Sequence, residues 1–185
     1  MAQLITKGRP VSFPRLDKDA PDTIVTIDLT WTSRTDVDLG MMIEFNDGTT
    51  RVVQALGKDF GSLDSEPYIW LSGDDRRGGH EQLKLDLARM GNVRRAMAIA
   101  FIYRGFGGWK RVGEAKVTIH HPTQGDFEIV LGKNGGKSCA LVDFRSDDAG
   151  GLSMERLGEF FPGYHQDIDQ FYKWPNINWV AGRKD

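Results

Sequence analysis

The sequence predicts an all-β fold, a two-sheet β-sandwich with one short C-terminal helix. Three observations predict it. Apolar and polar residues alternate with period two in one segment after another, the pattern of strands with one buried face. Glycine is abundant, 22 of 185 residues, and proline is scarce, at 7. With 39% apolar residues, that balance means many turns rather than disorder. No helical pattern of roughly 10–15 residues alternates with the strands, which argues against a parallel α/β sheet.

The clearest strand runs from Thr23 to Trp31, with Val25, Ile27, Leu29 and Trp31 on one face. Asp47-Gly48 lies between the runs Met41–Phe45 and Thr50–Leu56, and Asp-Gly between two such runs reads as a hairpin. Further strands are expected at Tyr68–Leu71, Gln82–Leu87, Arg95–Arg104, Ala115–His121, Phe127–Leu131 and Ser138–Arg145. Turn-rich stretches at 105–108, 122–125 and 132–136 separate the later ones. Leu152–Phe161 fits a strand or a helix, and the strand reading is preferred. The helix is expected from His165 to Tyr172, where Ile168, Phe171 and Tyr172 share one face. Asp167 and Asp169 suit its first turn, and Pro175 ends it. One domain spanning 1–185 is expected.

Composition removes several function classes. Cys139 is the one cysteine, so an intrachain disulfide and a four-cysteine zinc site are both excluded. The N-terminal stretch has no apolar signal core, and no run is long enough to span a bilayer. A cytoplasmic protein without direct membrane insertion is therefore expected. The formal charge of −2 gives no basic footprint, and no nucleic-acid partner is expected.

The most informative chemistry is acidic. Asp36 and Asp38 stand at i and i+2 at a junction between strands, and in extended backbone they point the same way. Two carboxylates on one side repel unless a cation lies between them or one is protonated. A second cluster runs Ser72-Gly73-Asp74-Asp75-Arg76-Arg77-Gly78-Gly79-His80-Glu81. Its glycines permit tight folding with carbonyls turned inward. Calcium takes roughly six to eight oxygen ligands from such groups, and Ca²⁺ is the leading ligand on these grounds. Solvated turn formation, with Arg76 and Arg77 pairing to the acids, is the competing reading. Neither segment fits an EF-hand, because Gly40 falls at the fifth position and no glutamate stands at the twelfth.

Longer stretches carry a resemblance. Thr6-Lys7-Gly8 and Val11-Ser12-Phe13 open it, and Leu29-Thr30-Trp31 precedes Asp36-Val37-Asp38-Leu39. Phe45–Gly48, Val53–Gly57, Phe60–Leu63, Leu71–Arg76, Ala100–Tyr103, Val117–His120 and Asn178–Gly182 continue it. The chain resembles the TerD family of tellurium-resistance and stress-response proteins, most closely its TerA-like branch. The resemblance implies a β-sandwich that binds calcium through Asp36, Asp38, Asp74 and Asp75. Glu81 matches the family's ligands less directly, because the loop there is shorter than in typical members. Two departures stand out. Gly40 replaces the third aspartate of Asp-x-Asp-Leu-Asp, and Arg76, Arg77 and two glycines replace an acidic stretch. One calcium rather than two, or a weakened site, is therefore expected. The family is associated with tellurite and other stresses and with Ter-protein assemblies near the membrane, so other Ter-type proteins are the expected partners. It supplies no reaction, and a non-catalytic binding or assembly module is expected.

Rival sites read more plainly as structure. Gly132–Ser138 resembles a phosphate loop, but a strand pattern follows it where a helix is needed, so it reads as a hairpin loop. Cys139 sits in an alternating strand and reads as a buried, inert thiol, against the alternative of a reactive thiolate. His120 and His121 are adjacent in a strand and face opposite ways. Two other functions remain open. One is a calcium-assisted lectin-like sandwich with Trp70 and Trp109 stacking on sugars. The other is a metal-assisted hydrolase using the acidic cluster.

Overall fold

The structure, a computed structural model, describes residues 2–73, 79–147, 150–175, 177 and 179. Thirteen strands and one α-helix are described: β1 Gln3–Leu4, β2 Val11–Phe13, β3 Ile24–Trp31, β4 Asp36–Phe45, β5 Thr50–Gln54, β6 Gly61–Ser62, β7 Ile69–Leu71, β8 His80–Asp86, β9 Val93–Arg104, β10 Ala115–His121, β11 Gly125–Leu131, β12 Ser138–Ser146, β13 Leu152–Phe161 and α1 His165–Tyr172. They form two sheets, ordered β1-β11-β10-β3-β8-β7-β6 and β2-β13-β12-β9-β4-β5. The all-β sandwich with its C-terminal helix is thus observed.

The strand patterns explain the layers. β3 alternates half-buried and buried residues along its whole length. Val25, Ile27, Leu29 and Trp31 enter the core between the sheets, where they meet Leu39, Met41, Ala98 and Phe144. Each large apolar side chain buried in this way contributes about 1.5–3 kcal/mol. β9 behaves differently, because its central residues are buried on both faces. Its inward residues Ala96, Ala98, Ala100 and Ile102 line the core. Its outward residues Met97 and Ile99 pack with Met42, Ile168 and Trp174 in a second apolar cluster. The helix therefore covers the outer face of the second sheet, and period two disappears where both faces are dry.

α1 is held at both ends. Asp167 reaches back to accept the Gly163 N–H at 2.8 Å, and Lys173 adopts the left-handed conformation that ends the helix. Beside it, Arg95 grips buried Asp143 through two nitrogens, at 2.9 and 3.1 Å. The Arg95 guanidinium also lies 4.4 Å from the Trp174 ring centre, a cation–π contact.

Two local expectations need correction. β4 begins at Asp36 rather than at Met41, so Asp36 and Asp38 belong to the strand itself. Gly132–Lys137 does not close a hairpin, because β11 and β12 lie in different sheets. Gly136 instead passes so close to β13 that a Cβ there would meet the Phe161 carbonyl oxygen at 2.4 Å. Crossing between two sheets brings backbone against backbone, and that contact needs glycine.

Candidate functional site

Strands β3, β9, β11 and β13 end at one edge of the sandwich, and β4, β8, β10 and β12 begin there. The acidic residues gather at this edge. Trp31 closes β3, and its indole N–H donates to the Thr35 carbonyl at 2.9 Å. Ser33 and Thr35 join hydroxyls at 2.8 Å, and the Ser33 N–H donates to the Val112 carbonyl. The turn that delivers β4 is therefore fixed before Asp36 is reached.

Asp36 opens β4 opposite Arg104 of β9 and is half-buried. A bulge follows at once, between Asp36 and Val37. Asp38 is fully buried. It pairs in register with Phe101, whose ring stacks 4.8 Å from that of His165. His165 in turn lies 4.2 Å from the Trp179 ring. Burial lowers the His165 pKa to about 4, so this imidazole is neutral in the folded chain.

Glu81 approaches from the other sheet. It shares its face of β8 with the core residues Leu83 and Leu85 and is itself 1% exposed. Its Oε2 accepts the backbone N–H of Leu39. The pairing explains why that N–H is open to it. β5 joins β4 only from Gly40 onward, so Leu39 has no strand neighbour on that side, and the carboxylate takes the place of the missing strand. Within the first sheet the β3–β8 ladder runs one residue further, the Trp31 N–H donating to the Gly79 carbonyl at 3.1 Å.

The structure thus joins the Asp36–Asp38 segment to Glu81 across the two sheets. Asp74, Asp75, Arg76, Arg77 and Gly78 lie outside the described residues. Among the described residues, no group of three or more His, Cys, Asp and Glu side chains is arranged to hold a metal ion. Asp36, Asp38 and Glu81 therefore make no complete cage by themselves, and the remaining oxygens would have to come from the 74–78 segment, backbone carbonyls or water. Gly73 and Gly79, which flank that segment, have φ of +115° and +128°, a backbone that glycine adopts without steric cost. Gly40 plays no such part. It lies inside β4, where a Cβ would meet the Val53 carbonyl oxygen at 3.1 Å, and serves close strand packing.

The rival sites separate clearly. Cys139 is fully buried, and burial pushes its thiol pKa far upward, which removes the reactive-thiolate alternative. Trp109 is 1% exposed and packs edge-on against Phe160, so it cannot stack on a sugar. His120 is exposed and His121 buried, on opposite faces as expected.

Two polar clusters on the outer sheet faces escaped the sequence reading. On the first sheet, Asp28 meets His80 at 2.6 Å and His120 at 3.1 Å, and His120 also meets Asp126 at 2.8 Å. On the second, Arg94, Arg95 and Arg145 converge near Asp143 and Glu44. The Arg94-Arg95 doublet was the visible signal for the latter. Strand pairing, which sequence spacing does not reveal, brings the other members in.

No family model matches the chain. It is 35% identical over 154 residues to tellurium resistance protein TerA of Alcaligenes sp, an alignment covering 80% of this chain and 44% of that protein. The chain spans less than half the length of this relative. Two crystal structures share the fold. One is a protein of unknown function, with TM-score 0.62, 19% identity, and 76% of this chain and 90% of that chain covered. The other is a homologue of telluride resistance protein (TerD) from Streptomyces coelicolor A3(2), with TM-score 0.57, 17% identity, and 75% and 90% covered.

Proposed function

The chain is a Ter/TerD-family protein, and from that premise we propose that it is a non-catalytic calcium-binding module of tellurium and stress resistance, acting through assembly with other Ter-type proteins. One observation carries the calcium reading. The Glu81 carboxylate docks on the Leu39 N–H and so joins two acidic segments that lie far apart in sequence. Carboxylate oxygens are the ligands a hard cation takes.

The residues present fit such an ion in chemistry. Asp36 and Glu81 would hold it, with Asp74 and Asp75 contributing from the adjoining segment; Asp38 shares the outer face of the second sheet with Phe101, on the other side of β4 from Glu81. Calcium would supply charge neutralisation and order, not bond cleavage. Gly40 in place of a third aspartate leaves carboxylates for one ion rather than two. Neutralising the acids fixes the two segments in one geometry, and that ordered edge is the surface offered to a partner. A cytoplasmic location accords with this role. Among the described residues, no helix is long and apolar enough to cross a membrane.

The test is thermal unfolding of chelator-stripped protein with and without Ca²⁺. At a hundredfold excess over Kd, an ion bound only by the folded chain stabilises it by about 2.7 kcal/mol. The melting temperature should rise in the native sequence and stay unchanged in Asp36→Asn, whose half-buried side chain tolerates the amide. An unchanged melting temperature in the native sequence would remove the calcium assignment.

A further inference from the structure

We propose that the second sheet carries a binding site for a small divalent oxyanion, built on three arginines at the end opposite the acidic edge. It is a different site from the calcium assignment and does not depend on it. The site is a cavity of about 210 Å³ lined by Glu44, Arg94, Arg95, Arg145 and Ser146.

Strand pairing builds the cluster. Glu44 of β4, Arg95 of β9 and Arg145 of β12 stand directly opposite one another across three strands. Arg94 should face the other way, because neighbours in a regular strand alternate. It does not, because the register shifts between Glu44 and Phe45. Glu44 pairs with Arg95 and Phe45 with Val93, which leaves Arg94 as the extra residue of a β-bulge. A bulge re-aims a side chain, and this one brings two consecutive arginines to one cavity.

The three guanidinium groups differ in role. Arg95 is the fixed element, with a side chain 9% exposed and two nitrogens on Asp143. Arg145 donates Nε to the same carboxylate at 2.9 Å, while its side chain stays 59% exposed. Among the described residues, its Nη groups have no further bond, so they are open to a ligand. Arg94 is 64% exposed and meets Glu44 at a loose 3.3 Å. Arg94, Arg95 and Arg145 stand among Glu44 and Asp143, with Glu155 across from Asp143 on β13, so the cluster's distinction is its forked donors rather than its net charge. Ser146 also lines a neighbouring cavity together with Arg15, which adds a further cation nearby.

Forked N–H donors converging in a partly enclosed cavity match the oxygens of a compact anion in geometry as well as charge. One pre-set guanidinium and two mobile ones would close around it. Inorganic phosphate, sulfate and tellurite all belong to this class.

The experiment is isothermal titration calorimetry of the full chain, stripped of metal, with phosphate, sulfate and tellurite in separate arms. Sodium chloride of matched ionic strength is the control. The comparison is Arg94→Gln with Arg145→Gln, both at exposed positions, with folding checked by circular dichroism. Arg95 is left intact because its loss would strand Asp143 in the interior. Saturable one-to-one binding is expected in at least one arm, weakened about tenfold or more in the double variant. The tightest arm identifies the source, a phosphate group or the tellurium oxyanion itself. Heats no greater than chloride in every arm, or equal affinity in the double variant, would overturn the proposal. Calcium-induced stabilisation should be the same in both proteins, so failure here leaves the calcium assignment standing.

Discussion

Acidification should destabilise the fold through His165, and the size of the effect follows from its surroundings. The imidazole is buried between the rings of Phe101 and Trp179, and its pKa falls from an ordinary 6.5 to about 4. A depressed value means that the folded chain resists the proton that the unfolded chain accepts. The contribution is complete above the unfolded value and is lost as pH falls through the folded one. Between pH ~7.5 and pH ~4.5 the loss comes to about 2–3 kcal/mol. Carboxylates also titrate over this range, so the effect must be read as a difference. The assay is urea unfolding of the native sequence and of His165→Phe, which keeps an aromatic ring in place. The advantage of the native sequence over the variant should shrink by about 2–3 kcal/mol over that pH range. A difference that stays constant with pH would refute the reasoning.

Two other outcomes follow from the packing. Gly136→Ala should cost about 1–3 kcal/mol in urea unfolding, because its Cβ would strike the Phe161 carbonyl; an unchanged midpoint would contradict the close approach. Cys139 should ignore a thiol reagent in the native state and react fully in denaturant, since its thiol is buried in β12; rapid labelling of the native protein would contradict that.

Much of the fold was legible because period two is a direct record of one-sided burial. Ala115–His121, Leu152–Phe161 and the helix His165–Tyr172 fall where the pattern places them. The boundary of β4 was not legible. Asp36 and Asp38 look like loop residues on composition, yet pairing with β9 draws them into the strand. Burial of Asp38 beneath the C-terminal cover depends on contacts between distant segments that spacing cannot express. The crossover at 132–137 was misread for a related reason. A glycine-rich turn looks the same whether it links two strands of one sheet or two sheets.

The candidate site divides along the same line. The acidic pairs and their flanking glycines stand out in one dimension, and the resemblance to Ter proteins adds their shared chemistry. That Glu81 serves β4 as a substitute strand neighbour is visible only in three dimensions. The arginine cavity needed a register shift, which leaves almost no mark in the sequence beyond an Arg-Arg doublet.

The most direct measurement of the central claim is calcium titration of the chelator-stripped chain by calorimetry, with Asp36→Asn and Glu81→Gln alongside. One Ca²⁺ per chain is expected for the native sequence, with lost or sharply weakened binding in both variants. No saturable calcium heat in the native sequence, or unchanged affinity in both variants, would contradict it.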